Sequence, residues 1–125
     1  MSLDGYIAGP KGEYDWITMD PDIDFGAMFK RYDTRLMGRK SWDEARKVQE
    51  SGAPTMDMPT YVISRTLRQA DAPGVIVSSD LAKTVNELKR LQGKDIWLWG
   101  GGELFRSVLE LKLVDDVELA IVPVL

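Results

Sequence analysis

Apolar and polar positions along the chain switch between two periods, and the switches outline its elements. After Asp20-Pro21, which reads as an N-cap and a first-turn proline, Phe25, Met28, Phe29 and Tyr32 recur at helical spacing. Asp22 and Asp24 stand where a helix dipole favours acids, so the pattern predicts a helix with one buried face. Thr34 to Met37 predicts a short buried strand. Gly38-Arg39-Lys40 then turns into Ser41-Trp42-Asp43-Glu44, which has the S-x-x-E form of a capping box and predicts a helix. Glu50 to Met58 gathers Ser, Gly, Pro and Asp and reads as a surface loop. Thr60 to Ser64, opened by Pro59, and Val75 to Ser78, after Ala72-Pro73-Gly74, are β-branched runs that predict strands. Leu81, Val85, Leu88 and Leu91 mark one face of a helix starting at Ser79 or Asp80 and stopping at Gly93. Ile96 to Trp99 is a further apolar strand. It is followed by three glycines and by Leu104, Phe105, Val108, Leu109 and Leu111 at helical spacing, and Val117 to Val122 closes as a strand. The alternation of β and α predicts an α/β fold, a mostly parallel twisted sheet between two layers of helices.

Composition narrows the function. A chain of 125 residues, 44% hydrophobic and 29% charged, fits one domain over residues 1–125. No apolar run approaches the roughly 20 residues of a membrane span. The start at Met1-Ser2-Leu3-Asp4 lacks the basic and apolar stretches of a secretory signal, so a cytoplasmic protein is expected. The net charge is −4 and the cations form no run, which argues against nucleic acid as a partner. With no Cys and no His, disulfides, Cys/His metal sites, thiol nucleophiles and Ser-His-Asp triads are excluded, and no metal is expected. Carboxylates, Lys, Tyr and hydroxyls remain, together with any cofactor that brings its own reactivity.

Two strand-to-helix turns carry glycine where the chain leaves the sheet, Gly38 in one and Gly100, Gly101 and Gly102 in the other. Helix N-termini entered this way offer free N–H groups and a positive dipole end, and two of them can grip one pyrophosphate from opposite sides. The triplet is not a G-x-G-x-x-G fingerprint, because Phe105 holds the place of the last glycine. Arg39, Lys40 and Arg65 are the cations nearest the strand ends, and Ser64-Arg65-Thr66 sets two hydroxyls beside a guanidinium that can fork onto a phosphate monoester. Asp4 lies in a strand-like segment and Asp24 one step from Phe25 on the first helix, so either can orient a polar substrate or relay a proton. Trp16 and Trp99 can stack on a flat ring, whereas Trp97 reads as core; Met28 is the further substrate-contact candidate.

Four segments together resemble a known superfamily. Ser2-Leu3-Asp4-Gly5-Tyr6-Ile7-Ala8, Leu36-Met37-Gly38-Arg39-Lys40-Ser41-Trp42, Tyr61-Val62-Ile63-Ser64-Arg65-Thr66-Leu67 and Trp97-Leu98-Trp99-Gly100-Gly101-Gly102-Glu103-Leu104, in this order and spacing, resemble the dihydrofolate reductase-like proteins. The nearest branch is the reductase domain of bifunctional riboflavin-biosynthesis enzymes (RibD C-terminal type) and its stand-alone bacterial relatives. The resemblance implies NADPH bound in extended form, with Ala8 at the nicotinamide carboxamide. Gly38, Arg39, Lys40 and Ser41 would meet the phosphates, and Ser64, Arg65 and Thr66 the adenosine end. Gly100, Gly101, Gly102, Glu103 and Leu104 would cover the pyrophosphate, with a cis bond between the first two glycines. It further implies a homodimer and a chain lacking part of a first strand and the C-terminal strands of its relatives.

The expectation is therefore an NADPH-dependent reductase acting on a small heterocycle or ribosylaminopyrimidine. Folate reduction is a second reading, although Phe25 stands where folate-reducing members carry a helix carboxylate. A nucleotide-binding or regulatory homo-oligomeric module without turnover is a third, as is a scaffold whose glycine turns merely pack.

Overall fold

The computed structural model describes residues 1–18, 20–53 and 56–125. It divides into two compact units, one of Met1–Phe25 with Asp115–Leu125 and one of Gly26–Val114.

The larger unit is built on a four-stranded parallel sheet. Its elements are α1 (Phe25–Phe29, shared with the end of the smaller unit), β1 (Tyr32–Gly38), α2 (Arg39–Glu50), β2 (Thr60–Ile63), a 3-10 turn (Gln69–Asp71), β3 (Ile76–Ser78), α3 (Leu81–Arg90), β4 (Asp95–Gly100) and α4 (Gly102–Glu110). The strand order is β3-β2-β1-β4, every pairing parallel, so all four carboxyl ends share one edge. Adjacent residues of β1 point to opposite faces and found two cores. Leu36 packs with Val85 of α3 and with Leu104 and Val108 of α4, while Met37 packs with Trp42 of α2, Val62 and Ala72. Helices thus cover both faces, as the β-α alternation predicts, with α2 opposite α3 and α4. Met37 and Val62, both 0% exposed, mark the centre of the α2 side.

Where elements differ from the sequence pattern, local hydrogen bonds explain the difference. The first helix is only the five residues of α1 and has no buried residue. Asp20 does not cap it: its carboxylate accepts the Asp22 N–H at 2.9 Å and its carbonyl the Ile23 N–H at 3.2 Å, a turn that delays the helix to Phe25. Tyr32, read as the end of that helix, is instead the first residue of β1 and pairs with Asp95. The capping box is also absent. α2 starts at Arg39, directly after the strand, with Gly38 as N-cap and no side-chain cap, so Ser41 falls inside the first turn. The third helix has the expected cap, Asp80, but ends at Arg90, three residues short of Gly93, because Leu91 is extended. Part of the Glu50–Met58 loop, Pro54 and Thr55, lies outside the described residues.

In the smaller unit the two chain segments are stitched together by a single parallel bridge, Ser2 to Val122. Leu3 N–H donates to Val124 O at 2.9 Å and Val122 N–H to Met1 O at 2.7 Å. The strand-like reading of Ser2 to Ala8 fails at Leu3 and Asp4, which form a turn. Gly5, at φ +92°, reverses the chain, and the buried Ser2 hydroxyl receives the Tyr6 N–H at 2.9 Å, so the backbone is satisfied locally. Val117 to Val122 likewise contributes only the bridge rather than a strand. Among the described residues no helix is long and apolar enough to cross a membrane.

Candidate functional site

The carboxyl edge of the sheet is where the two glycine exits of this unit bring helix starts together. β1 and β4 are neighbours, so their two glycine exits lie side by side, and Met37 is in register with Gly100. A Cβ added to Gly38 would lie 3.8 Å from Leu104 Cβ and 3.9 Å from Gly100 O. Both following helices, of twelve and nine residues, have glycine N-caps without a side-chain cap, Gly38 for α2 and Gly101 for α4. Their first N–H groups are therefore left for solvent or a ligand, beside two positive dipole ends. The Gly100–Gly101 peptide is cis and Gly100 has φ +133°. Ser41 reaches across from α2: its hydroxyl oxygen is 3.4 Å from a Cβ placed on Gly101. One ion pair spans the two helix starts, Lys40 Nζ to Glu103 Oε1 at 3.4 Å, both side chains nearly fully exposed.

Further along the same edge, β2 ends in Ser64-Arg65-Thr66. The Ser64 oxygen accepts the Thr66 N–H at 3.3 Å and the Leu67 N–H at 3.0 Å, and the Ser64 N–H donates to Ser78 O at 2.9 Å. Ser64 thus shapes the turn that presents Arg65 and Thr66, both exposed. Arg39 lies along α2, its Nε donating to Asp43 at 2.9 and 3.1 Å and its guanidinium 5.6 Å from the Trp42 ring centre.

The sequence-predicted residues divide over the two units. Gly38, Arg39, Lys40, Ser41, Ser64, Arg65, Thr66, Gly100, Gly101, Gly102, Glu103 and Leu104 all belong to the larger unit and to the carboxyl ends of its strands. Met28 and Trp99 belong to that unit too, Met28 half-buried in α1 and Trp99 42% exposed on β4. Asp4, Ala8, Trp16 and Asp24 belong to the smaller unit. There Asp4 is an exposed turn residue and Asp24 an exposed residue preceding α1 rather than on it, whereas Trp16 is half-buried with its indole N–H donating to Glu13 O at 3.3 Å.

Trp97, read as core, is half-buried, edge-on to Trp99 at 4.8 Å and in contact with Phe29 at 4.9 Å and Tyr32 at 5.5 Å. A hollow of about 380 Å³ opens near the amino ends of β1 and β2, lined by Phe29, Tyr32, Asp33 and Met56 among others. It lies at the edge opposite the glycine turns, and Met28 does not line it. Sequence reasoning passed over Arg35, a cation inside a strand read as buried. That mismatch of charge and setting was the available signal.

The family model of the RibD C-terminal domain matches residues 1–125. The chain belongs to the RibD C-terminal domain family. This is a family of reductase-type domains. Two Bacillus subtilis (strain 168) proteins are related over nearly the whole chain. The uncharacterised protein YyaP is 37% identical over 134 residues, covering 99% of this chain and 71% of its own length. The uncharacterised protein YwjB is 27% identical over 128 residues, covering 99% and 73%. A crystal structure of a Shewanella sp. PV-4 protein, assigned provisionally to riboflavin biosynthesis, superposes with a TM-score of 0.79 at 26% identity, over 99% of this chain and 73% of that one. The α/β architecture with its mostly parallel sheet is therefore shared with that Shewanella protein.

Proposed function

We propose that this RibD C-terminal domain is an NADPH-dependent reductase that transfers hydride to a small heterocyclic or ribosylaminopyrimidine-type substrate. The observation that carries the reading is the pair of uncapped helix N-termini, α2 after Gly38 and α4 after Gly101, set side by side by the β1-β4 pairing. Family membership supports a reductase-type activity.

The residues present fit a dinucleotide phosphate. Free N–H groups of Arg39, Lys40, Gly102 and Glu103 suit a pyrophosphate, and Ser41 adds a hydroxyl between the two turns. Lys40 supplies a mobile cation once it parts from Glu103, and an exposed pair of this kind costs little to open. Arg65 and Thr66 are the residues proposed to meet the ribose phosphate that distinguishes NADPH from NADH, which a guanidinium fork suits. When bound, the nicotinamide supplies the hydride; the protein holds the two rings together and excludes water. Trp99, half in water at the end of β4, offers a flat wall for the substrate ring. Asp4 and Asp24 are the carboxylates proposed to orient the substrate or deliver its proton. A homodimer remains part of this proposal, to be read from the mass in solution.

The test is steady-state oxidation of NADPH with pyrimidine and pterin substrates, compared between the unaltered protein and Arg65→Ala. Turnover with NADPH that the variant slows at low cofactor concentration supports the reading. NADPH bound but never oxidised with any of them would favour the module without turnover.

A further inference from the structure

Arg35 sits on the α2 face of the sheet, beside Trp97 of β4 in register. It is half-buried, and loss of water holds its pKa below the usual arginine value. Its Nε donates to Thr60 Oγ1 at 3.1 Å, and its guanidinium lies 5.4 Å from the centre of the Trp99 ring. Both partners are neutral.

The other arginines are treated differently. Arg31, Arg39, Arg46, Arg68 and Arg106 pair with Asp95, Asp43, Glu50, Asp71 and Glu110. Arg65 and Arg90 are exposed to water. Among the described residues, only Arg35 combines partial burial with the absence of a carboxylate. A guanidinium has five N–H donors in a fixed fork, and here one is used. Taking such a cation out of water without an anion is unfavourable. The surroundings are aromatic and flat: Trp99 is 42% exposed, and behind it Trp97 stacks on Tyr32 with an interplanar angle of 20°.

We propose that Arg35 and Trp99 form an anion-selective seat for a planar ring that carries its negative charge on the ring itself, as a ring carboxylate or an ionised ring oxygen. The guanidinium lies over part of the Trp99 ring, so a ligand stacked on the exposed remainder of the indole would present its own ring substituent to the fork, not a distant tethered group. Arg35 is then the residue that sets substrate charge. This last role rests on the reductase reading; the binding does not.

Calorimetric titration of the full chain with matched rings tests it: orotate against uracil, and quinoline-2-carboxylate against quinoline, with NADPH titrated in parallel. The carboxylates should bind about tenfold or more tighter than their neutral partners, as expected for a charge-assisted fork. Arg35→Gln should erase that difference, Arg35→Lys should restore part of it, and Trp99→Ala should weaken all rings. Equal affinity within each pair, or a preference that survives Arg35→Gln, would overturn the seat. Should Arg35→Gln not fold, the matched pairs on the unaltered protein and on Trp99→Ala decide the question. NADPH binding without ring-anion binding refutes this inference alone; ring-anion binding without NADPH refutes the cofactor reading alone.

Discussion

Asp33 shows how much one side chain can organise at the sheet's amino edge. Its Oδ2 accepts the Lys94 N–H at 2.7 Å and its Oδ1 the Thr34 hydroxyl at 3.0 Å, tying β1 to the start of β4. The Lys94 N–H, chiefly, holds its pKa below the ordinary carboxylate value of 3.8. A depressed folded pKa means that the stabilisation is fully present above the ordinary carboxylate range and is lost as pH falls through the lowered folded value. Denaturant titrations from pH 7 down to 2.5 should show Asp33→Asn less stable than the unaltered protein at neutral pH, the two converging at the acid end. A constant gap across that range would contradict the assignment. A Cβ on Gly93 would collide with the same Asp33 oxygen, so Gly93→Ala should disturb the same tie. At the other edge, Arg65 is exposed and unpaired among the described residues. Arg65→Ala should weaken NADPH about tenfold or more and leave NADH nearly unchanged, read as the ratio of the two dissociation constants. Residue types made Arg65 and the glycines legible in the sequence. Arg35 was not, because its neutral partners Thr60 and Trp99 are distant in sequence and meet it only through sheet pairing.

Among the elements, those with strong periodicity or a glycine exit were readable, and those decided by competing local bonds were not. α3 has its apolar stripe and its Asp80 cap, whose carboxylate accepts the Lys83 N–H at 2.9 Å. Asp80→Ala should cost about 1 kcal/mol in thermal or chemical unfolding, the usual price of an N-cap. The S-x-x-E motif of Ser41 to Glu44, by contrast, misled, because a parallel strand that runs straight into α2 leaves no residue for a cap before Gly38. The two glycine turns also differ from each other. At Gly38 a Cβ meets only ordinary contacts, so Gly38→Ala should fold nearly as well as the unaltered protein. Gly100 at φ +133° occupies a region that L side chains rarely adopt, so Gly100→Ala should lose roughly 1–3 kcal/mol. Parallel melts of the two variants check this directly, and equal stability would contradict the different demands placed on the two turns.

At the scale of the whole molecule, the β-α alternation was enough to foresee a parallel sheet with helices on both faces, since each element carries its own period and exit. It did not foresee how the chain ends behave. Ser2 to Ala8 and Val117 to Val122 have strand-like composition, yet among the described residues of their unit they pair through one bridge and build no sheet. Composition reports what a segment prefers, whereas a strand also needs a partner along its length. The division into two units places Asp4, Ala8, Trp16 and Asp24 in one and the glycine turns with Arg65 and Trp99 in the other. The larger unit is therefore the part on which the cofactor proposal stands. It is tested most directly by titrating the chain with NADPH and then NADH while following its four tryptophans by fluorescence. Saturable quenching that clearly prefers NADPH is the result expected. A folded protein that answers to neither dinucleotide would contradict the account.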